Sequence, residues 1–268
     1  MAKVDGGQRR VRFGIAERLR DLDRANAWLL TVDNVPQSYV DLEDSTHLAF
    51  DCCRRAGDVI DFLPAAPLEA IHVGGGACTV PRYIAATRPG SKQLVVDIDD
   101  ELVAFVREWL DPYRVPDMEL RVADGRDVIA KAREASVDLV VLDAFEAGNV
   151  AGGLDSAEFT REVARVLRAP KTYIINTSDG PDRIFSKRLV ATVAEVFGNV
   201  LSFVDGGVLS GERSGNIVIV ASDVPLPLAE LVRRAASARF PVRLLVGAAS
   251  REFPCESTSD GRRQNCEN

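Results

Sequence analysis

Several residue classes are scarce in this chain of 268 residues, which has two histidines and five cysteines. The cysteines are Cys52, Cys53, Cys78, Cys255 and Cys266. Their spacing lacks the paired pattern of metal ligands, so we expect reduced thiols and no metal. No apolar run approaches the roughly 20 residues that span a bilayer, and the first residues are polar. These absences predict a soluble cytoplasmic protein without a membrane partner.

Basic charge is also in short supply. Lysine and arginine number 33 against 40 acidic residues, which gives a formal net charge of −7. Binding to nucleic acid needs concentrated positive charge, so we expect no nucleic-acid partner. An acidic surface is compatible with a cationic substrate, although most acidic proteins are simply soluble. The hydrophobic content of 46% is enough for the core of one α/β domain with a small appendage.

Strands and helices alternate from Leu68 onward. The predicted strands are Ala70–Val73, Gln93–Ile98, Glu119–Val122, Val137–Leu142, Lys171–Asn176, Val200–Val204 and Asn216–Ala221. The clearest predicted helices are Asp100–Leu110, Arg126–Ala135, Ser156–Leu167 and Arg183–Phe197. This order, with nearly continuous Val, Ile and Leu in the strands, is typical of a parallel sheet covered on both faces. We predict a class I methyltransferase-like (Rossmann-like) α/β fold of about seven strands, the last antiparallel.

The rest of the chain divides into three predicted regions. Residues 1–45 form an N-terminal β-hairpin region, in which Trp28–Val32 and Pro36–Val40 flank the turn Asp33-Asn34. Residues 46–248 form the α/β catalytic domain, opened by a helix from Leu48 to Phe62 that Ser45-Thr46-His47 caps. Residues 249–268 are polar and predicted to be disordered.

A triple glycine, Gly74-Gly75-Gly76, joins the first strand of the domain to a helix. This arrangement brings backbone amides close to a nucleotide, although glycine triplets also form ordinary turns. Asp97 follows about 20 residues later, the spacing at which a carboxylate accepts hydrogen bonds from a ribose diol. Asp99 or Asp100 is better explained as the cap of the next helix.

Acidic residues also follow the next two strands. Asp124-Gly125 ends the third strand, where the carboxylate either binds an adenine amino group or caps the following helix. Asp143-Ala144-Phe145-Glu146 ends the fourth, and partial desolvation there would raise a carboxylate pKa and make it a usable general base. Because strand ends meet at one edge of an open sheet, these acids and the glycines are expected to share a site.

The glycine loop and these three acidic strand ends together resemble the spermidine synthase family, the polyamine aminopropyltransferases of actinobacterial type. The resemblance covers about residues 28–223 and includes Val32 to Gln37 and Asn216 to Ser222. It implies a cytoplasmic transferase of polyamine biosynthesis and suggests a homodimer. Its co-substrate would be decarboxylated S-adenosylmethionine, and its partner a small-molecule amine that attacks the methylene next to the sulfonium.

The resemblance also assigns roles to single residues. Gly74, Gly75 and Gly76 would line the co-substrate, Asp97 would hold the ribose, and Asp124 with Gly125 would hold the adenine. Glu146 would be the base, with Asp143 beside it, and Gln37 and His47 would contact the substrate. His47 is also explained as a residue at the helix start without a ligand.

The chain departs from the family pattern on the amine side of this site. Ala77 replaces an aspartate after the glycines, and Thr46 and Leu48 replace the tyrosine and glutamate that flank the substrate histidine. The loop after the tetrapeptide reads Ala147-Gly148-Asn149 instead of a proline-glycine pattern. A buried ammonium needs a charged partner, so two other hypotheses stay open. These are an S-adenosylmethionine-dependent methyltransferase and a non-catalytic nucleoside-binding protein; the acceptor amine and the oligomeric state also stay open.

Overall fold

A computed structural model describes residues 7–110, 115–146, 149–237 and 242–247, with the side chains of Glu146 and Asn149 left out. The strands are β1 (Gln8–Val11), β2 (Gly14–Arg20), β3 (Ala27–Val32), β4 (Val35–Asp41), β5 (Glu69–Val73), β6 (Lys92–Asp97), β7 (Met118–Val122), β8 (Val137–Leu142), β9 (Phe145–Glu146), β10 (Asn149–Val150), β11 (Leu167–Asp179), β12 (Asn199–Asp205), β13 (Gly215–Ser222) and β14 (Val242–Val246). The helices are α1 (Asp51–Ile60), α2 (Thr79–Thr87), α3 (Asp100–Leu110), α4 (Gly125–Lys131), α5 (Ala157–Val166), α6 (Ile184–Ala194), α7 (Gly206–Leu209) and α8 (Leu228–Ser237).

The central sheet has eight strands in the order β14-β12-β13-β11-β8-β5-β6-β7. Strands β7, β6, β5, β8 and β11 are parallel, and β13 runs antiparallel to both β11 and β12. The predicted fold class and the antiparallel β13 are therefore confirmed. The eighth strand is β14, which pairs with β12 at the edge; it was not predicted because it lies after the strand–helix repeat.

Apolar strands build a core on both faces of this sheet. In β8, Leu139, Val140 and Leu142 have no exposed surface, although they point alternately to opposite faces. Leu139 belongs to the cluster on the side of α1 and α2, whereas Val140 and Leu142 belong to the cluster on the side of α5 and α6. Residues from both faces are covered, which explains why the sequence shows a continuous apolar run here.

Helix α1 begins later than predicted. It starts at Asp51, after Phe50, and has no side-chain cap, so the predicted cap at Ser45-Thr46-His47 is wrong. The Asp44 carboxylate explains the difference, since it accepts hydrogen bonds from both the amide (3.1 Å) and the hydroxyl (2.5 Å) of Thr46. This local turn competes with helix formation and delays the helix by several residues.

The N-terminal region is a four-stranded antiparallel sheet, β1-β2-β3-β4, which is larger than the predicted hairpin. The turn at Asp33-Asn34 lies where predicted, and both residues have left-handed φ angles of 47° and 65°. Such angles suit the tight turn of a two-residue hairpin. Strands β1 and β2 were missed because their many charged residues hide the apolar alternation. Arg18 of β2 fixes the sheet to α3, since its guanidinium lies 5.3 Å from the rings of both Trp28 and Trp109.

Two further expectations concern the chain as a whole. Within the described ranges, no helix is long and apolar enough to cross a membrane. Cys52, Cys53 and Cys78 are free thiols, as predicted. The predicted tail, 249–268, with Cys255 and Cys266, lies outside the described residues.

Candidate active site at the carboxyl edge of the sheet

Five neighbouring parallel strands contribute residues to one row at the carboxyl edge of the sheet. Four of these residues lie at strand ends, whereas Asn176 lies inside β11, just past Ile175, where the pairing of β11 with β8 stops. In sheet order the row reads Asn176 after Ile175 of β11, Asp143 after β8, Gly74 after β5, Asp97 at the end of β6, and Asp124 beyond β7. Backbone hydrogen bonds bind the row together, from Asp143 N to Val73 O and from Gly74 N to Val96 O, both at 2.8 Å. The sequence therefore brings its predicted acids and glycines to one edge.

The glycine loop is held in a shape that side chains would prevent. Gly74 and Gly76 have φ angles of +91° and +44°. A Cβ atom on Gly74 would lie 2.1 Å from the Asp143 carbonyl oxygen, and one on Gly76 would lie 2.3 Å from the Ser38 hydroxyl. The glycines therefore allow three chain segments to approach closely, which brings β4 and the end of β8 against the loop.

Asp97 is attached to this loop. One carboxylate oxygen accepts a hydrogen bond from Gly75 N and the other from Asp99 N, each at 3.0 Å. Burial raises the pKa of Asp97, and these backbone hydrogen bonds oppose that rise. Asp99 is the cap of α3, as expected, because its carboxylate accepts from Leu102 N at 2.9 Å. Asp97 is half-buried, and each carboxylate oxygen has a second lone pair for a ligand donor.

Asp124 is the N-cap of α4. Its carboxylate accepts hydrogen bonds from Arg126 N at 2.8 Å and from the Arg126 guanidinium at 2.9 Å, and this pairing lowers its pKa. Asp124 therefore has the helix-capping role that the sequence offered as the alternative to adenine binding. A Cβ atom on Gly125 would meet a Val73 methyl at 2.3 Å, so the glycine lets α4 begin directly against β5.

A groove of about 430 Å³ opens beside Asp124. Its lining comes from β5, β6, β7 and α4: Ile71, Leu94, Arg121, Ala123, Asp124, Asp127, Val128, Lys131 and Ala132. Neither the glycine loop nor Asp143 contributes to it. The groove therefore borders only the β7 end of the row of strand ends.

Asp143 lies on the other side of the glycine loop. Its carboxylate accepts a hydrogen bond from the Asn176 amide at 2.8 Å. Burial raises the pKa of Asp143, and the Asn176 donor opposes this. The Cys53 thiol is nearby, and its pKa is raised by the Cys52 thiol, by burial and by the Asp143 charge. Glu146 lies in β9, paired with Asn149 of β10, but its side chain and residues 147–148 are outside the described part.

The two predicted substrate residues lie on and just after β4. Gln37 is exposed, and its amide donates to Val35 O at 3.3 Å. The half-buried His47 packs edge-on against Tyr39, with ring centroids 5.9 Å apart, and the Tyr39 hydroxyl donates to Asp21 at 2.6 Å. The Thr79 hydroxyl donates to Tyr39 O at 2.9 Å, which attaches β4 to the start of α2. His47 is therefore fixed by an aromatic neighbour near the glycine-loop side of the sheet.

Ala77 and Cys78, which follow the glycines, are both completely buried. The Ala77 amide donates to the Ser38 hydroxyl at 3.1 Å, and its side chain packs in a cluster with Leu30 and Val40 of the N-terminal sheet. Burial raises the pKa of Cys78 to about 12, so its thiol is neutral at physiological pH. Because the thiolate and not the thiol is the nucleophile, Cys78 is a poor candidate for a catalytic nucleophile.

Two residues of this edge were not selected from the sequence, Asn176 and Ser38. Asn176 directly follows Ile174-Ile175, just as Asp143 follows Val141-Leu142, so a polar residue closing an apolar strand was the available signal. Restricting the search to acids and glycines missed it. Ser38 carries no such signal, because its role depends on the packing of β4 against the glycine loop.

Comparison with known proteins agrees with this geometry. No family model matches the chain. A polyamine aminopropyltransferase of Neisseria meningitidis serogroup A is 25% identical over 187 residues, which cover 69% of this chain and 68% of that protein. One from Moorella thermoacetica is 34% identical over 134 residues, or 47% of this chain and 45% of that protein. The chain is similar to the polyamine aminopropyltransferases. The relatives are transferases by name, in agreement with the enzyme class expected from the sequence.

Solved structures give the same result for the fold. A probable spermidine synthase from Corynebacterium glutamicum superposes with a TM-score of 0.85 at 28% identity, covering 98% of this chain and 99% of that one. Human methyltransferase-like protein 13 superposes with a TM-score of 0.52 at 21% identity, covering 68% and 85%. The predicted resemblance to the spermidine synthase family and the methyltransferase-like fold are both confirmed.

Proposed function

We propose that this protein transfers an aminopropyl group from decarboxylated S-adenosylmethionine to a small-molecule amine. The observation that carries the proposal is the row Asp143, Gly74, Asp97 and Asp124 at the carboxyl ends of four adjacent strands. The names of its relatives, polyamine aminopropyltransferases, support it.

The nucleoside half of the ligand would bind toward β6 and β7. Asp97 is held by Gly75 and Asp99 amides and retains lone pairs for the two ribose hydroxyls. Asp124 with Gly125 would bind the adenine. The Asp124 carboxylate keeps acceptor capacity beyond its three bonds to Arg126, since a carboxylate has about four lone-pair sites. Because the glycines carry no side chains, they would leave room for the aminopropyl chain of the ligand beside Asp143.

The reaction follows from this orientation. The nitrogen lone pair of the amine attacks the methylene next to the sulfonium, the carbon–sulfur bond breaks, and its electron pair neutralises the sulfur as methylthioadenosine leaves. Glu146 or Asp143 accepts the proton that the amine gives up. Burial favours Asp143 as an acceptor because it raises the carboxyl pKa. Most of the rate acceleration would come from aligning the amine with the electrophilic carbon.

Gln37 and His47 would contact the amine substrate. His47 is fixed against Tyr39, whose hydroxyl is bound to Asp21. This cluster lies at the glycine-loop end of β4 and offers both an aromatic face and a carboxylate. Such groups bind ammonium through cation–π and charge interactions.

A second candidate is methyl transfer from intact S-adenosylmethionine. The observation that favours it is Ala77, which places no carboxylate after the glycine loop and packs instead against Leu30 and Val40. A negative residue there would repel the carboxylate that intact S-adenosylmethionine retains and its decarboxylated form lacks.

The test is to incubate the protein with decarboxylated S-adenosylmethionine and a panel of di- and polyamines, and to measure methylthioadenosine. Amine-dependent release supports the proposal. Isothermal titration with both nucleosides separates the two candidates. Tighter binding of intact S-adenosylmethionine, with no methylthioadenosine released, would favour methyl transfer.

A further inference from the structure

The two polar atoms of the Asn176 side-chain amide differ in their hydrogen bonding. It is 8% exposed and follows Ile175, which pairs with Leu142 of β8. Its amide nitrogen donates to the Asp143 carboxylate at 2.8 Å. Its amide oxygen is buried and has no hydrogen-bond partner among the described residues. The amide nitrogen of Asn176 is thus hydrogen-bonded, whereas its amide oxygen is free to accept a hydrogen bond.

An unpaired buried acceptor is costly. Leaving such a group without a partner costs about 1–3 kcal/mol, and most buried polar atoms in folded proteins are paired. Leucine has nearly the same shape and would avoid this cost. The hydrogen bond to Asp143 accounts for the amide nitrogen of Asn176, whereas a ligand that supplied a donor would account for the amide oxygen.

The position of Asn176 in the sheet indicates the part of the ligand involved. It lies one strand beyond Asp143, on the side away from the glycine loop and Asp97. A ligand that extends from Asp97 past Gly74 to Asp143 therefore meets Asn176 next. The free atom is an oxygen, so it recognises an N–H or O–H donor. Beside a carboxyl group, a primary ammonium group is a favoured donor, because it pairs with the charged form of that group.

We propose that Asn176 is a positioning and recognition residue, which fixes the Asp143 carboxylate through its amide nitrogen and binds the ammonium end of the amine substrate through its amide oxygen. The part of this inference that concerns transfer rests on the proposed function. The fixation of Asp143 and the binding of an amine do not depend on turnover.

The surroundings of Asp143 decide what loss of Asn176 would do. The described ionisable neighbour on the opposite element, α1, is the Cys53 thiol, which burial and the Cys52 thiol keep neutral. No described group other than Asn176 appears as a hydrogen-bond donor to the Asp143 side chain. Without that donor, burial acts alone and the carboxyl group is protonated at higher pH.

The test compares Asn176→Leu with a control, Thr177→Val. Thr177 is the next residue of β11 and is fully buried, so its variant reports any general damage to the strand. Three quantities are measured for each protein: the pKa of Asp143 by carbonyl NMR, with the signal assigned from Asp143→Asn; the affinity for putrescine and for propylamine by titration calorimetry; and kcat and KM for the amine.

We expect Asn176→Leu to raise the pKa of Asp143 by about one unit and to weaken amine binding about tenfold or more. The affinity for decarboxylated S-adenosylmethionine should change less than twofold, because Asp97 lies two strands from Asp143. Asn176→Gln, which keeps both amide ends, should recover part of the amine affinity. Thr177→Val should match the wild-type protein in all three quantities.

The results separate this inference from the proposed function. If the wild-type protein transfers the aminopropyl group and Asn176→Leu retains its kcat/KM, the inference is wrong while the function stands. If no amine is consumed but Asn176→Leu shifts the pKa and weakens amine binding, the recognition role stands and the transfer does not. An unchanged pKa of Asp143, or a wild-type protein that binds neither amine, overturns the inference.

Discussion

The Asp97 carboxylate has two tasks at the sheet edge. It fixes the glycine loop through Gly75 N at 3.0 Å, and in our proposal it binds the ribose with its remaining lone pairs. Burial raises its pKa, yet three amides around it favour the charged form.

Replacing Asp97 by asparagine should weaken binding of decarboxylated S-adenosylmethionine by roughly 10- to 100-fold. The reason is that hydrogen bonds to a charged group contribute about 1.5–3 kcal/mol, and asparagine accepts fewer of them. Titration calorimetry checks the affinity. Asp100→Asn is the matched control, because Asp100 is exposed in the first turn of α3. Equal affinity in Asp97→Asn and the wild-type protein would remove the ribose role.

The surroundings of Ala77 give this residue a packing role that the sequence did not reveal. The sequence presents it as a missing carboxylate on the amine side of the site. The structure packs its side chain between the N-terminal sheet and the domain, with no exposed surface. In our proposal the amine is therefore bound by other residues, of which Asp143, Asn176 and the Tyr39–His47 pair are the described candidates.

At the scale of elements, strand β4 determines the shape of the glycine loop. The Ser38 hydroxyl accepts from Ala77 N at 3.1 Å and would collide with any side chain on Gly76. The N-terminal sheet is thus a part of the site's wall as well as an appendage. The sequence predicted the β3–β4 hairpin from its turn but gave no sign that it would touch the loop, because that contact joins residues 39 positions apart.

Replacing Ser38 by alanine should destabilise the protein by about 1–3 kcal/mol, because the buried Ala77 amide loses its acceptor. Nucleoside binding should weaken as well, since the glycine loop loses one of its supports. Thermal unfolding and calorimetry measure the two effects. The control is Thr31→Val on β3, whose buried hydroxyl has no hydrogen-bond partner among the described residues. Removing that hydroxyl should be neutral or stabilising; equal losses in both variants would contradict the role of Ser38.

Element boundaries show what sequence patterns can and cannot predict. Strand β8 agrees with its predicted bounds because apolar residues fill it from end to end. Helix α4 ends at Lys131, four residues before its predicted end, and α1 begins three residues late. In both places local side-chain or backbone hydrogen bonds override the helical pattern. Strands β1, β2 and β14 were missed because their partners lie outside the strand–helix repeat.

The candidate site, like the element boundaries, could be predicted only in part from the sequence. Acids at strand ends were predicted from the sequence because their position depends only on strand order. Their individual hydrogen bonds were not, since these depend on which side chains meet across strands. Asp143 with Asn176 and Asp97 with Gly75 join residues 33 and 22 positions apart. The ligand-binding and catalytic roles assigned to all of the site residues stay predictions.

At the scale of the whole molecule, His72 connects stability to pH. It is fully buried on β5, its ring lies 3.1 Å from the Gln93 amide oxygen, and burial lowers its pKa from 6.5 to about 4. The fold therefore holds the neutral ring, whereas the unfolded chain takes up a proton below about pH 6.5. Protonation of the unfolded chain favours unfolding, so stability is complete above pH 6.5 and declines as pH falls toward 4.

We expect His72 to account for a loss of roughly 3 kcal/mol in the free energy of unfolding between pH 6.5 and 4. Denaturant unfolding of the wild-type protein and His72→Gln at several pH values isolates this part, because other titrating groups contribute equally to both. The difference between the two curves should change by that amount. A constant difference across this range would show that the buried ring is not the cause.

The central claim is that the row of strand ends binds a sulfonium nucleoside and directs an amine against it. The most direct measurement is release of methylthioadenosine from decarboxylated S-adenosylmethionine by the wild-type protein, with and without each amine of a panel. We predict release that requires an amine and falls at least tenfold in Asp143→Asn, because a proton acceptor contributes roughly 10²–10⁴-fold. No release with any amine, together with tighter binding of intact S-adenosylmethionine, would contradict the account.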